Sequence, residues 1–213
     1  MAATLQTYIT QVQRLLHDPN GNFWPVPELI DYINDGRNRI AADTKCLRAL
    51  QTGITLTAGQ ELYQILTILP AVANQVVDVM GITVYWGNER YKLLYKSFSE
   101  FDAWVRPWQL YQSRPAAFTR MGGTQIYLGP IPDQAYVTDW DVAINPTPMV
   151  LTTDTEIIPA AFQDPIQYWA AFRAKYKEQA YGESDMFEKR YAREGLRAAR
   201  AFMTRVLPNP YDR

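Results

Sequence analysis

His17 and Cys46 are the only histidine and the only cysteine of this 213-residue chain, and they bound the chemistry available to it. His17 falls where the first predicted helix ends, beside Asp18, and no Ser or Cys motif accompanies it to make a nucleophile–base pair. Its expected role is a favourable meeting with the helix dipole, worth under about 1 kcal/mol. Cys46 closes a predicted helix without the neighbours that would mark a nucleophile and is expected to act as a small, buried, apolar residue. One histidine and one cysteine do not make a zinc site without carboxylates, and no ligand spacing accompanies them. Two carboxylate pairs have the spacing for acid–base work or a hard cation. Asp31 and Asp35 stand four apart on a predicted helix, and Asp139 and Asp141 share one face of a predicted strand. Solvent exposure or pairing with arginines is the simpler expectation for both. Gly122-Gly123 precedes neither a helix nor a Lys-Ser/Thr pair, so it reads as a turn rather than a phosphate loop. The sequence offers no positioned catalytic group, and no cofactor or metal is expected.

Two features point to contacts instead. Arg193, Arg197 and Arg200 recur at i, i+4 and i+7 and form one basic stripe on the last predicted helix. The stripe is able to line a channel or to meet acids on a neighbouring subunit; a solvated face balanced by Glu188 and Glu194 is the plain alternative. The run Leu207-Pro208-Asn209-Pro210-Tyr211-Asp212-Arg213 cannot continue a helix. It is expected to be an extended arm whose prolines limit its freedom and whose Tyr211 offers an anchor.

Composition sets the frame for these residues. The chain is 47% hydrophobic and 20% charged, enough apolar material for one sizeable core or two small ones. A net charge of −1 supplies no global attraction to nucleic acid or anionic lipid. No apolar run approaches the roughly 18 residues of a membrane span. The first residues lack a basic segment followed by an apolar one, so no signal peptide is expected. A lone cysteine suits a reducing compartment. The 6 Trp, 14 Tyr and 8 Phe are the unusual feature; such density serves either an aromatic core or subunit interfaces.

The elements that must position these residues follow from periodicity. Leu5, Ile9, Val12 and Leu16 predict a helix over about 3–17, stopped by Asp18-Pro19-Asn20-Gly21. A second helix starts near Pro27, with Leu29 or Ile30, Ile33, the stem of Arg37, and Ile40 on its inner stripe. Phe23 and Trp24 should plug the connection. From Gly53 the period becomes two. Hairpins are predicted across Ala58-Gly59, Gly87-Asn88 and Gly122-Gly123, with a further strand from about Tyr136 to Ile144. Ser97-Phe98-Ser99-Glu100 reads as a capping box opening a short helix. Asp164-Pro165-Ile166-Gln167 predicts an N-cap at Asp164, followed by a face of Trp169, Phe172, Tyr176 and Ala180 and a stop at Gly182. A last helix is predicted over about 184–206, with Phe187, Tyr191, Ala198 and Phe202 inward. The fold class is therefore α+β: a helical domain from 1–50 and 159–206, a β-rich insertion over 51–158, and the arm 207–213.

Residues 4–50 carry more specific motifs. These are Arg14-Leu15-Leu16-His17-Asp18-Pro19-Asn20-Gly21, Phe23-Trp24, Glu28-Leu29-Ile30-Asp31-Tyr32-Ile33-Asn34-Asp35-Gly36 and Arg39-Ile40-Ala41. They resemble the opening of the head-to-tail adaptor, or connector, family of tailed bacteriophages. The Leu56–Gly59 turn, the β-rich middle, the apolar-acidic stretch Glu156–Pro159 and the two closing helices are similar in order. The resemblance implies a structural, non-enzymatic virion protein of the neck, assembled in the bacterial host cytoplasm. It implies a ring of this chain, twelve copies in the family, beneath the portal protein, with viral DNA passing through its lumen. It further implies that Leu207–Arg213 reach the portal while another surface docks a tail nozzle or tail-completion protein. Membership among those other neck and tail components is the neighbouring reading. An enzyme built from the scattered carboxylates is the reading from a different class.

Overall fold

The computed structural model describes residues 3–104 and 111–202. In chain order the elements begin with α1 (Leu5–Leu15), α2 (Val26–Thr44), β1 (Arg48–Thr55), β2 (Leu62–Gln64) and α3 (Ile65–Ile68). Then come β3 (Val76–Trp86), β4 (Glu89–Lys92), β5 (Leu94–Tyr95), α4 (Phe98–Trp104), β6 (Ala117–Met121) and β7 (Gln125–Gly129). The last are β8 (Val137–Ile144), α5 (Asp164–Lys177) and α6 (Tyr181–Phe202). Helices and sheets in this arrangement make the fold α+β. The chain divides into two compact units, Met1–Leu47 with Pro146–Arg213, and Arg48–Asn145.

The first unit is helical. Leu5, Ile9, Val12 and Leu16 are all buried, as their spacing requires, and Leu29 rather than Ile30 takes the fully buried position on α2. Thr4 caps α1, its hydroxyl accepting from the Thr7 N–H while the Thr7 hydroxyl accepts from the Thr4 N–H. At the other end His17 adopts the left-handed backbone, φ 57. Its N–H donates to Arg14 and that of Asp18 to Gln13, the paired bonds of a Schellman stop. Gln179, φ 62, occupies the same kind of position after α5. The helix therefore ends at Lys177, five residues before Gly182, which lies in the first turn of α6 rather than ending α5. Both side chains are exposed. His17→Gly and Gln179→Gly should each raise stability by up to about 1 kcal/mol, because glycine removes the Cβ clash of the left-handed state. Denaturant melts would read the gain.

Two expectations for this unit shift. Asp164 is the first residue of α5, not its cap; a 3-10 turn at Ala160–Phe162 feeds directly into the helix and Gln163 precedes it. The inner face of α5 is Ile166, Ala170, Ala171 and Ala174, whereas Tyr176 is exposed and Trp169 and Phe172 lie half-buried. Small residues win the core face because the helices approach closely there. A Cβ built on Gly36 would stand 3.1 Å from the Ile166 carbonyl oxygen and from the Trp169 ring. The aromatics instead stack along the flank, from Trp169 to Phe172 to Tyr176 to Tyr181, with centroids 5.1, 6.0 and 5.6 Å apart. Trp24 is buried as expected, but Phe23 stays 65% exposed.

The second unit holds two four-stranded sheets, ordered β1-β8-β3-β4 and β2-β7-β6-β5. Leu56, Ile82, Val84, Phe118, Ile126, Leu128, Trp140 and Val142 from both sheets form one core. The turns at Gly87-Asn88 and Gly122-Gly123 close β3–β4 and β6–β7 as their composition predicts. The Ser97–Glu100 box is also formed, with each residue accepting from the other's backbone N–H. The hairpin across Ala58-Gly59 is not formed. β1 pairs with β8 and β2 with β7, so this turn carries the chain from one sheet to the other. The switch sends Leu56 and Tyr63 into the shared core, and the Tyr63 hydroxyl ties the corner by donating to the Thr57 carbonyl at 3.1 Å. At the roots of this unit, Arg48 at the start of β1 pairs with Ala143 near the end of β8.

Residues 146–158 carry no strand and belong to the helical unit, where they form a strap across α1 and α2. The Leu5 and Gln6 N–H groups donate to the carbonyls of Asp154 and Thr152 at 3.1 Å each, so the strap satisfies free donors of the α1 N-terminus.

Candidate functional site

The strap is fastened by a buried ion pair. Arg37 on α2 and Glu156 have side chains 1% and 0% exposed. The guanidinium meets the carboxylate with both prongs, Nε–Oε2 at 2.8 Å and Nη2–Oε1 at 2.9 Å. Its remaining donor reaches Asn34 Oδ1 and the Thr147 carbonyl. Glu156 Oε1 also accepts from the N–H groups of Ile157 and Ile158. Asn34 adds a two-way bond with the Met149 backbone, 2.9 Å in each direction. The buried Tyr8 hydroxyl is held well above its ordinary pKa, first by desolvation and then by the Glu156 charge. The inner stripe placed Arg37 at a core position and the Glu156–Pro159 motif contained its counter-ion, but nothing in the sequence joins the two.

Beyond that anchor the strap turns back at Val150 and Leu151. The Asp154 carboxylate accepts from both of their N–H groups at 2.8 Å, which locks the turn. Their side chains are 70% and 64% exposed. Asp18 acts in the same way on the α1–α2 connection, accepting from Asn22, Phe23 and Trp24 at 2.9 Å each. These backbone donors hold both carboxyls below their ordinary value of 3.8. A folded pKa below the unfolded one contributes stability that is complete above 3.8 and is lost as the pH falls through the lower folded value. Protection factors at 22–24 and 150–151, taken relative to the intrinsic exchange rate at each pH, should therefore fall in acid, and Asp18→Asn should abolish that fall at 22–24.

The other charged groups singled out by sequence are structural. Asp35 accepts from Trp169 Nε1 at 2.8 Å and lies 3.5 Å from Arg173 Nε, while Asp31 is exposed. Asp139 accepts from the Gly53 N–H and the Tyr85 hydroxyl, and Asp141 holds Arg48 at both oxygens. Neither pair converges on an open site. Among the described residues no group of three or more His, Cys, Asp or Glu stands where it would hold a metal ion. Burial pushes the Cys46 thiol upward, away from a reactive thiolate.

The basic stripe lies on the exposed side of α6. Arg193, Arg197 and Arg200 flank the exposed Leu196 along a shallow groove. Arg197 pairs with Glu194 at 2.9 Å; Arg193 and Arg200 have no acidic partner among the described residues. Leu196 also borders a deeper groove between α2, α5 and α6, about 340 Å³, walled by Ile40, Trp169, Tyr191, Gly195 and Ala199. Its rim carries Arg39, which stacks on Trp169 at 5.4 Å and bonds Asp43, itself the acceptor of the Tyr191 hydroxyl. The arm 207–213 lies outside the described residues.

Among the described residues the polar clusters fasten the chain's own helices and strands, and the open features are grooves and exposed apolar turns. Residues 3–208 match the family model described as SU10 adaptor protein, and the chain belongs to that family of phage head-to-tail adaptors. The family is structural and not known as enzymatic. A comparison with curated proteins finds no match. Among the described residues no helix is long and apolar enough to cross a membrane.

Proposed function

We propose that this chain forms a ring beneath the portal in the virion neck, extends the DNA channel and presents a docking surface for the tail. The observation that carries the reading is the match of nearly the whole chain to a head-to-tail adaptor family. The division of the chain supports it, because two compact units give each copy separate surfaces for different neighbours. The near-neutral charge is in keeping with a channel wall. DNA held at many phosphates would resist sliding, since each neutralised phosphate adds to affinity. Leu207–Arg213 serve as the portal-binding arm, twelve copies complete the ring, and a nozzle or tail-completion protein docks below. Of the two roles open to Arg193, Arg197 and Arg200, we favour the contact between subunits.

Mass measurement of the purified chain with and without portal tests the reading. A closed multimer on the portal is expected, and a chain that stays solitary beside its portal would refute it. A variant ending at residue 206 should bind the portal at least tenfold more weakly; full affinity would remove the arm from the mechanism.

A further inference from the structure

We propose that the Val150–Leu151 turn of one copy seats in the α2–α5–α6 groove of the next, so that copies join head to tail. The proposal rests on the ring reading and names the surfaces that would make the ring.

A ring needs two different patches on each copy, placed on opposed sides, because a self-complementary patch closes a dimer instead. The helical unit has such a pair. Asn34 and Arg37 hold the strap on one side of α2, whereas Arg39, Ile40 and Asp43 line the groove. Successive helix residues turn by about 100°, so Arg39 stands about 140° and Asp43 about 180° around α2 from Asn34. The strap's Asn34 anchor and the groove's Arg39–Asp43 rim therefore lie on different sides of the same helix.

Each patch also has the form that the other requires. Val150 and Leu151 project as two adjacent aliphatic side chains, and the Asp154 carboxylate has already fixed their backbone. Little conformational entropy is left to lose on docking. The groove is walled by Trp169, Tyr191, Ile40 and Leu196, apolar and aromatic side chains of the kind that anchor interface hot spots, with Arg39, Asp43 and Glu188 beside them. On the α6 side charge is complementary, while within the groove Asp43 is already paired with Arg39 and Glu188 is the remaining acid. Between 146 and 155 the only ionisable residue is Asp154. The α6 groove that shares Leu196 carries Arg193 and Arg200 without acidic partners among the described residues. The basic stripe thus becomes the polar rim around an apolar socket, and the acid beside the turn meets it.

Cross-linking tests the geometry. In a full-length Cys46→Ser background, Leu151→Cys and Ala199→Cys would be made singly and together, and treated with a short bismaleimide on portal-bound protein. The double variant should give a covalent ladder extending beyond the dimer. The single variants should give no multimer, and an equal mixture of them should stop at the dimer. Dimers from either single variant would show a self-complementary contact and overturn the proposal. So would a covalent product with the mass of portal or of a tail component. A closed ring by mass without a ladder would sink this interface and leave the ring reading intact; absence of any ring would sink both. As a second measurement, Leu151→Asp should weaken self-association at least tenfold while leaving the monomer's melting unchanged, since the side chain is exposed. Unchanged association would count against the socket.

Discussion

Glu156→Gln should destabilise the helical unit by on the order of 3 kcal/mol, because it leaves the Arg37 charge buried without its counter-charge. The loss is large for a polar substitution since Arg37 is 1% exposed and water has no access to compensate it. Glutamine keeps the shape and an acceptor for the Ile157 and Ile158 N–H groups, so the effect reports the lost charge together with the Oε2 acceptor of the Arg37 Nε–H. The double variant Arg37→Met, Glu156→Gln should recover at least half of that loss, since no unpaired ion then remains and methionine fills the volume. Amide exchange along α2, measured for the three variants, separates this unit from the rest of the chain. Equal stability of Glu156→Gln and the parent would show that the pair contributes nothing.

Trp140→Ala should cost about 3–5 kcal/mol in the β unit, the usual range for emptying a large aromatic site. Trp140 is fully buried between the sheets and donates through Nε1 to the Thr138 hydroxyl at 2.8 Å, while that hydroxyl donates to the Ile54 carbonyl. The indole thus joins the packing of β8 to the hydrogen bonding of β1. Trp140→Phe should cost less, because most of the ring volume stays and only the polar link is lost. Faster exchange confined to 48–145 would confirm that this core is separate; a cost below about 1 kcal/mol would mean that the site collapses without strain.

Local rules were legible in the sequence wherever one element decided the outcome. The α1 stripe, the Ser97–Glu100 cap and the tight turns at Gly87-Asn88 and Gly122-Gly123 need only neighbours a few residues away. Ala58-Gly59 shows the limit. Its composition specifies a turn, but not whether the two strands pair with each other or enter different sheets; competition among distant strands settles that. Arg37 shows the same limit in the core. Its stem belongs to the inner stripe, but the carboxylate that permits its burial lies 119 residues away. The aromatic face of α5 misled because size was equated with burial, whereas the closest helix contacts go to alanine and to Gly36. The basic stripe of α6 was visible, but the socket beside it requires three helices and has no signature in any one of them.

The way the β unit is rooted bears on how such proteins diversify. Arg48 and Ala143 face each other across one antiparallel ladder, so the two strands that carry the chain into and out of the unit are neighbours at their base, with Cα atoms about 5 Å apart. A gap that narrow can be bridged by a short turn. The whole of 48–145 is therefore replaceable as a cassette. Exchange for another insert, or for a few glycines, would leave the four-helix scaffold its strap and its ion pair.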